Sequence, residues 1–187
     1  ETVLRMADVA LVAKSQSVPD DTVQQSIDRI RRINKDATVI RGASPVTLDD
    51  PSLVRNRRAL VVDDGPTITH GGMPYGAGYV AATDAGASEI IDPRAAAVGE
   101  IADVYRNYPH IGTVLPAVGY GASEVEALRK TIEAAAPDVV VSGTPCDLAK
   151  LINLSVPIVR ARYSFAEVES PGLEGRIMEF LKGRGLV

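Results

Sequence analysis

Two adjacent carboxylates, Asp63 and Asp64, close the apolar run Ala59-Leu60-Val61-Val62, and the glycine-rich stretch GPTITHGGMPYGAGYVAA follows from Gly65 to Ala82. A carboxylate at a strand end can hold a magnesium ion carrying a phosphorylated substrate, and either Asp63 or Asp64 fits that metal role. The plainer reading is that one of the pair caps the turn through its own backbone. Thr67 and Thr69 offer hydroxyls to a phosphate, and His70 offers an imidazole for acid/base work or phosphate contact. Gly71, Gly72, Gly76 and Gly78 let the backbone approach a ligand, and the N–H groups opening the next helix attract anions. The same glycines also suit close helix–strand packing. Gly72-x-x-x-Gly76-x-Gly78 matches a dehydrogenase glycine loop in spacing, but it begins well past the strand end and no Tyr-x-x-x-Lys pair follows. Asp63, Asp64 and His70 are the candidate catalytic residues.

Two further turns have the same character. In SGTPCDL (Ser142–Leu148), Thr144 reads as a helix N-cap and Pro145 as the first helical residue, which would present a second anion cradle. Cys146 is a nucleophile by type, although nothing in the sequence places either histidine beside it. VGYGASE (Val118–Glu124) is a third such turn, with Gly119 and Gly121. Arg94, Arg160 and Arg162 follow expected strands, where guanidinium groups clamp phosphates or carboxylates. The set implies a polyanionic small ligand.

The elements that must position these residues follow from hydrophobic patterning. Strands are expected over Asp8–Ala13, Thr38–Arg41, Ala59–Asp63, Glu89–Asp92, Gly112–Leu115, Asp138–Ser142 and Pro157–Arg162. Helices are expected over Asp21–Asn34, Gly76–Ala87, Ala95–Tyr108, Ser123–Ala136, Asp147–Asn153 and Leu173–Gly183. Ser123 and Glu126 have the spacing of a capping box. Short apolar strands alternating with helices predict a three-layer α/β fold, a mostly parallel Rossmann-like sheet with helices on both faces. Ligands then sit outside the carboxyl ends of the strands, where these turns lie. The polar TLDDPSLVRNRR stretch predicts a linker over 47–58, with one α/β unit ending in 1–46 and a substrate- or anion-binding Rossmann-like domain over 59–187.

Composition narrows the function classes. The chain has 187 residues, 45% hydrophobic and 24% charged, which suffices for a core without disulfides, and Cys146 has no partner cysteine. A net charge of −4 argues against a nucleic-acid binder. The arginines at 29, 31 and 32 and at 55, 57 and 58 read as solvated faces. No apolar stretch is long enough to span a membrane and no leader pattern opens the chain, so the expected location is cytoplasmic. No Gly-x-x-x-x-Gly-Lys-Ser/Thr loop occurs, so these residues alone should not hydrolyse ATP or GTP by the P-loop route.

In ETVLRMADV, LVVDDGPTITHGGMPYGAGYVAA, IIDPRAAAVGEI, YPHIGTVLPAVGYG and GTPCDLAKLI…PIVRARY, the chain resembles the P-loop GTPase family labelled cyclic 2,3-diphosphoglycerate synthetase-like. The resemblance implies the C-terminal part of a longer protein, residues 1–46 being the tail of a P-loop unit whose Walker A loop lies in an upstream domain or subunit. It implies ATP or GTP with Mg2+ as cofactors and ATP-driven phosphoanhydride formation in a phosphorylated small-molecule substrate. It also places the base-binding loops at Ala13-Lys14-Ser15-Gln16 and Gly42-Ala43-Ser44-Pro45, so Lys14, Gln16, Ala43 and Ser44 would meet the nucleotide base. Where this family carries Asn-Lys-x-Asp, only the lysine stands here, which leaves ATP and GTP both open. A homo-oligomer is expected, with neither nucleic acid nor membrane as partner. A second reading is a non-catalytic module that senses a phosphorylated metabolite or nucleotide.

Overall fold

The computed structural model describes residues 1–117 and 119–187; Val118, which opens the VGYGASE turn, lies outside them. The chain forms two compact units, Glu1–Pro45 with Ser164–Val187, and Val46–Tyr163. The first crossing falls beside the expected linker, but residues 164–187 belong to the first unit rather than to the domain expected over 59–187. The linker stretch itself supplies an edge strand and a short 3-10 turn to the second unit.

In the first unit, α1 (Thr2–Arg5) leads into β1 (Val9–Val12), α2 (Asp20–Ile33) and β2 (Thr38–Ala43). Strands β1 and β2 are parallel, with Val9 opposite Thr38. Helix α2 buries Val23 and Ile27 and leaves Arg29, Arg31 and Arg32 in solvent, as helical spacing predicts. Asn34 ends it: its amide donates to the Leu4 and Ala7 carbonyls, and its Oδ1 accepts from the Asp36 and Ala37 amides. At the far end of the sequence, β9 (Ala166–Glu167) pairs antiparallel with Gly42–Ala43, and α8 (Leu173–Gly183) closes the unit.

The second unit is a mixed, mostly parallel α/β sheet with helices packed around it, a Rossmann-like fold. Its strands are β3 (Val46–Leu48), β4 (Arg58–Asp64), β5 (Glu89–Ile90), β6 (Leu115–Ala117), β7 (Val139–Gly143) and β8 (Ile158–Tyr163), ordered β3-β8-β7-β4-β5, with β6 also on β4. Among the described residues of this unit only β3 runs antiparallel, on the edge against β8. The helices are α3 (Gly65–Thr69), α4 (Ala77–Asp84), α5 (Glu100–Asn107), α6 (Ala122–Ala135) and α7 (Leu148–Leu151). Strands β4 and β7 sit at the centre, and every residue from Ala59 to Asp63 and from Val139 to Gly143 is buried. A strand covered on both faces needs the continuous apolar runs seen in the sequence rather than an alternating pattern. Each fully buried Val or Leu there contributes about 1.5–3 kcal/mol.

Several local expectations give way to tertiary structure. Strand β6 lies at Leu115–Ala117, displaced from Gly112–Leu115, because pairing with Val62–Asp64 fixes its register. The expected helix over Ala95–Tyr108 splits at Gly99, whose φ of 55° ends the Pro93–Ala96 3-10 turn and starts α5. Helix α6 starts at Ala122 after Gly121, so Ser123 lies inside the first turn and the Ser123–Glu126 capping box does not form. Glu126 instead bonds Arg129. Thr144 caps a turn, accepting from the Cys146 amide, and α7 begins only after Asp147.

Candidate functional site at the carboxyl edge

Asp63 ends the buried part of β4, and it is fully buried. Its Oδ2 accepts from the Gly76 amide at 2.7 Å and its Oδ1 from the Gly78 amide at 2.8 Å, the N–H groups that open α4. Burial pushes the carboxyl up from its ordinary value, and the glycine amides pull against that. A Cβ on Gly143 would lie 2.3 Å from Asp63 Oδ1 and 2.5 Å from the Gly78 nitrogen, so the glycines close tightly around this carboxylate. The anion at the α4 N-terminus is therefore the protein's own side chain. Asp63 latches loop to strand, with both oxygens turned to backbone, and it is a positioning residue.

The turn before α6 is built differently. Glu124 lies over the turn, and a Cβ on Gly121 would meet its Oε2 at 2.4 Å, with Gly119 against the same side chain. Among the described residues the turn before α4 holds a carboxylate of the chain on its amides, whereas Glu124 accepts from the Ser123 hydroxyl. Gly71 and Gly72 end α3: the His70 and Gly71 amides reach the Pro66 carbonyl, and Gly72 takes a φ of 64°.

The open chemistry gathers beyond Asp63. Asp64 is partly buried at the strand end, and its Oδ2 accepts from the Thr67 hydroxyl at 2.9 Å. On neighbouring loops the Tyr120 hydroxyl meets Thr144 Oγ1 at 2.6 Å, and burial holds the Tyr120 phenol above its ordinary range. Cys146 and Asp64 both bear on that phenol. Tyr120 carries no motif of its own; only the adjacent glycines Gly119 and Gly121 mark its turn as one that follows a strand. Among the described residues no group of three His, Cys, Asp or Glu side chains is placed to hold a metal by itself. One partly buried carboxylate with a hydroxyl beside it still suits magnesium, which keeps several waters and takes its other ligands from phosphates. Asp64, not Asp63, has that character.

Thr69 donates to the Gly65 carbonyl at 2.8 Å, so its contact with His70 Nδ1 at 3.0 Å has the imidazole as donor. His70 Nε2 is then the basic nitrogen of an exposed ring. The other histidine, His110, donates to the Ile68 carbonyl.

The three arginines do not converge on this edge. Strand β5 lines only Arg58 and Ala59 of β4, so the turn carrying Arg94 opens at mid-strand height. Its guanidinium bonds Asp92 and the Ile111 carbonyl and lies 5.1 Å from the Tyr105 ring centroid. Arg160 and Arg162 lie within β8 rather than after it. Arg160 bonds the Pro145 carbonyl at 2.6 Å, and Arg162 grips Asp49 with two bonds at 2.5 and 2.8 Å. A continuous strand placed them by register, which sequence spacing does not reveal.

In the first unit the structure does bring the two suggested base loops together. Residues Ala13–Gln16 leave β1 and Ala43–Ser44 end β2 at the same edge of a parallel pair, and the Ser15 hydroxyl donates to the Gly42 carbonyl at 3.2 Å. Lys14 and Gln16 are exposed there, with Ala43 and Ser44 half-buried.

These features define a Rossmann-like α/β chain with an acidic, hydroxyl-bearing carboxyl edge. No protein-family model matches it. Among curated proteins it is similar to arginine synthetase ArcE of Thermococcus kodakarensis, 48% identical over 182 residues, which is 97% of this chain and 41% of that protein. The chain therefore spans about two fifths of the length of the curated relative it matches. Among the described residues no helix is long and apolar enough to cross a membrane.

Proposed function

We propose that this chain is the part of a nucleotide-dependent ligase that carries the substrate-side carboxyl edge, and that the reaction yields arginine. The observation that carries the reading is the 48% identity across 97% of the chain to a protein named arginine synthetase. The Asp64–Thr67 pair beside Tyr120 and Thr144 supports it, since an acidic edge lined with hydroxyls suits a magnesium-bound phosphate better than a bare one. Magnesium, when bound, would neutralise charge on the transferred phosphoryl group. Asp64 would hold that ion, Thr67 would fix the Asp64 carboxylate, and Tyr120 and Thr144 would orient the acceptor. The nucleotide's phosphate-binding loop belongs in this reading to an upstream P-loop domain or subunit, with the Lys14–Gln16 and Ala43–Ser44 loops toward the base. The family resemblance in the sequence supports the same class with a cyclic phosphoanhydride as product.

The test is to assay the complete gene product that carries these residues, with ATP or GTP and Mg2+, for nucleotide consumption and for each product. Arginine formation is expected, with Asp64→Asn lowering kcat by at least about tenfold, as loss of charge stabilisation does. A protein that consumes no nucleotide, or an Asp64→Asn variant at full rate, would overturn the assignment.

A further inference from the structure

A second concavity opens on the sheet face turned away from α4. A Cβ on Gly78 would meet both Val61 and Asp63, so those side chains point at α4. Val62 then points the other way, and its register partner Ser142 shares that face with Arg160, which pairs with Ser142 in turn. A cleft of about 250 Å³ opens there, lined by Ser142 and Arg160 with Asp49, Asp147, Leu148 and Arg162.

Ser142 is 2% exposed, and its hydroxyl has no hydrogen-bond partner among the described residues. A buried hydroxyl left in that state opposes folding, and native proteins retain one mainly where something else completes it. Beside it, the Arg160 guanidinium gives one N–H to the Pro145 carbonyl, and its planar fork has further donors for an oxyanion. Arg162 grips Asp49 and Lys150 pairs with Asp147 at 2.9 Å, which lowers both carboxyls, and Arg160 adds a smaller pull on each. An incoming ammonium would share Asp147 with Lys150. The cleft thus sets a hydroxyl and a guanidinium between carboxylates, a pattern that matches one negative and one positive group about a carbon apart. Its volume lies below the roughly 300–1,000 Å³ of pockets for drug-sized ligands.

We propose that this cleft binds the head of a free α-amino acid, with Ser142 and Arg160 on its carboxylate and Asp147 on its ammonium. That the amino acid is arginine rests on the function proposed above; the recognition of an amino-acid head does not.

The 187-residue chain is titrated with L-arginine, with agmatine, which lacks the carboxylate, and with inorganic phosphate, following backbone amide shifts by NMR. Saturable binding of L-arginine is expected, with shifts centred on Ser142 and Arg160, and at least tenfold weaker binding of the other two probes. Ser142→Ala should raise the Tm of the free chain, by removing an unpartnered hydroxyl, while weakening L-arginine binding. Arg160→Gln should weaken it further. Equal binding of phosphate would make this an oxyanion site and overturn the proposal, as would unchanged L-arginine affinity in both variants or no L-arginine binding by the parent chain. If the complete gene product makes arginine and both variants bind L-arginine as tightly as the parent, the cleft assignment falls and the function stands. If it makes none while the chain still binds L-arginine as described, the function falls and the cleft stands.

Discussion

At Asp63 one buried carboxylate bonds two glycine amides, that of Gly78 buried and that of Gly76 half-buried. Removing it orphans both amides, and each buried donor left unsatisfied costs about 1–3 kcal/mol. Asp63→Ala should therefore lower the stability of the chain by about 2–4 kcal/mol in urea denaturation. Gly143→Ala acts on the same latch from the opposite strand: its Cβ would press on Asp63 Oδ1 and the Gly78 nitrogen, for a loss of about 1–3 kcal/mol. Stability unchanged in both variants would show that the latch does not hold the loop. The sequence marked Asp63 and Asp64 as a pair with one structural and one functional member, but it could not say which was which. Strand alternation plus burial make Asp63 the structural member, because it faces α4, while Asp64 exits the sheet.

Among the elements, α6 shows how ion pairs on one helix set a pH window. Glu126 and Glu133 flank Arg129 at helical spacing, and Arg129 bonds both. The Arg129 guanidinium holds the Glu126 carboxyl at about 2, below its ordinary 4.5. A carboxyl lowered by folding adds stability above its ordinary value, and that share is lost as pH falls from 4.5 toward 2. Thermal melts across this window should show Arg129→Ala losing less stability on acidification than the parent chain. Equal losses would show that the pair contributes nothing measurable, the usual result for isolated exposed pairs. Periodicity made α6, α2 and α8 legible in the sequence to within a residue or two. Short α3 was not legible, since Gly-Pro-Thr-Ile-Thr has too few residues to show a period and reads as a loop.

For the whole molecule, the larger hydrophobic core runs from Val54 to Ala161 and lies wholly within the second unit. That unit begins and ends on neighbouring strands, with Val46 opposite Tyr163. A segment with its own core and adjacent ends has what independent folding requires. Residues 46–163 expressed alone should give a dispersed NMR spectrum and a cooperative unfolding transition, and a disordered spectrum would overturn this. The return of the chain to β2 through β9 was invisible in the sequence, because a two-residue strand has no pattern of its own and only its partner defines it.

The sequence by itself determined the α/β class, the central strands β4 and β7 and the carboxyl-edge location of the glycine turns. Those follow from local hydrophobic period and turn chemistry, which neighbours along the chain express. Tertiary structure alone decided which charged and polar groups find partners within the chain. It turned the glycine turn before α4 inward onto Asp63, drew Arg94 and Arg162 into pairs with Asp92 and Asp49, and left Ser142 without a partner among the described residues beside Arg160. Partners of that kind lie from two to more than a hundred residues apart, and sheet register, not spacing along the chain, selects the distant ones.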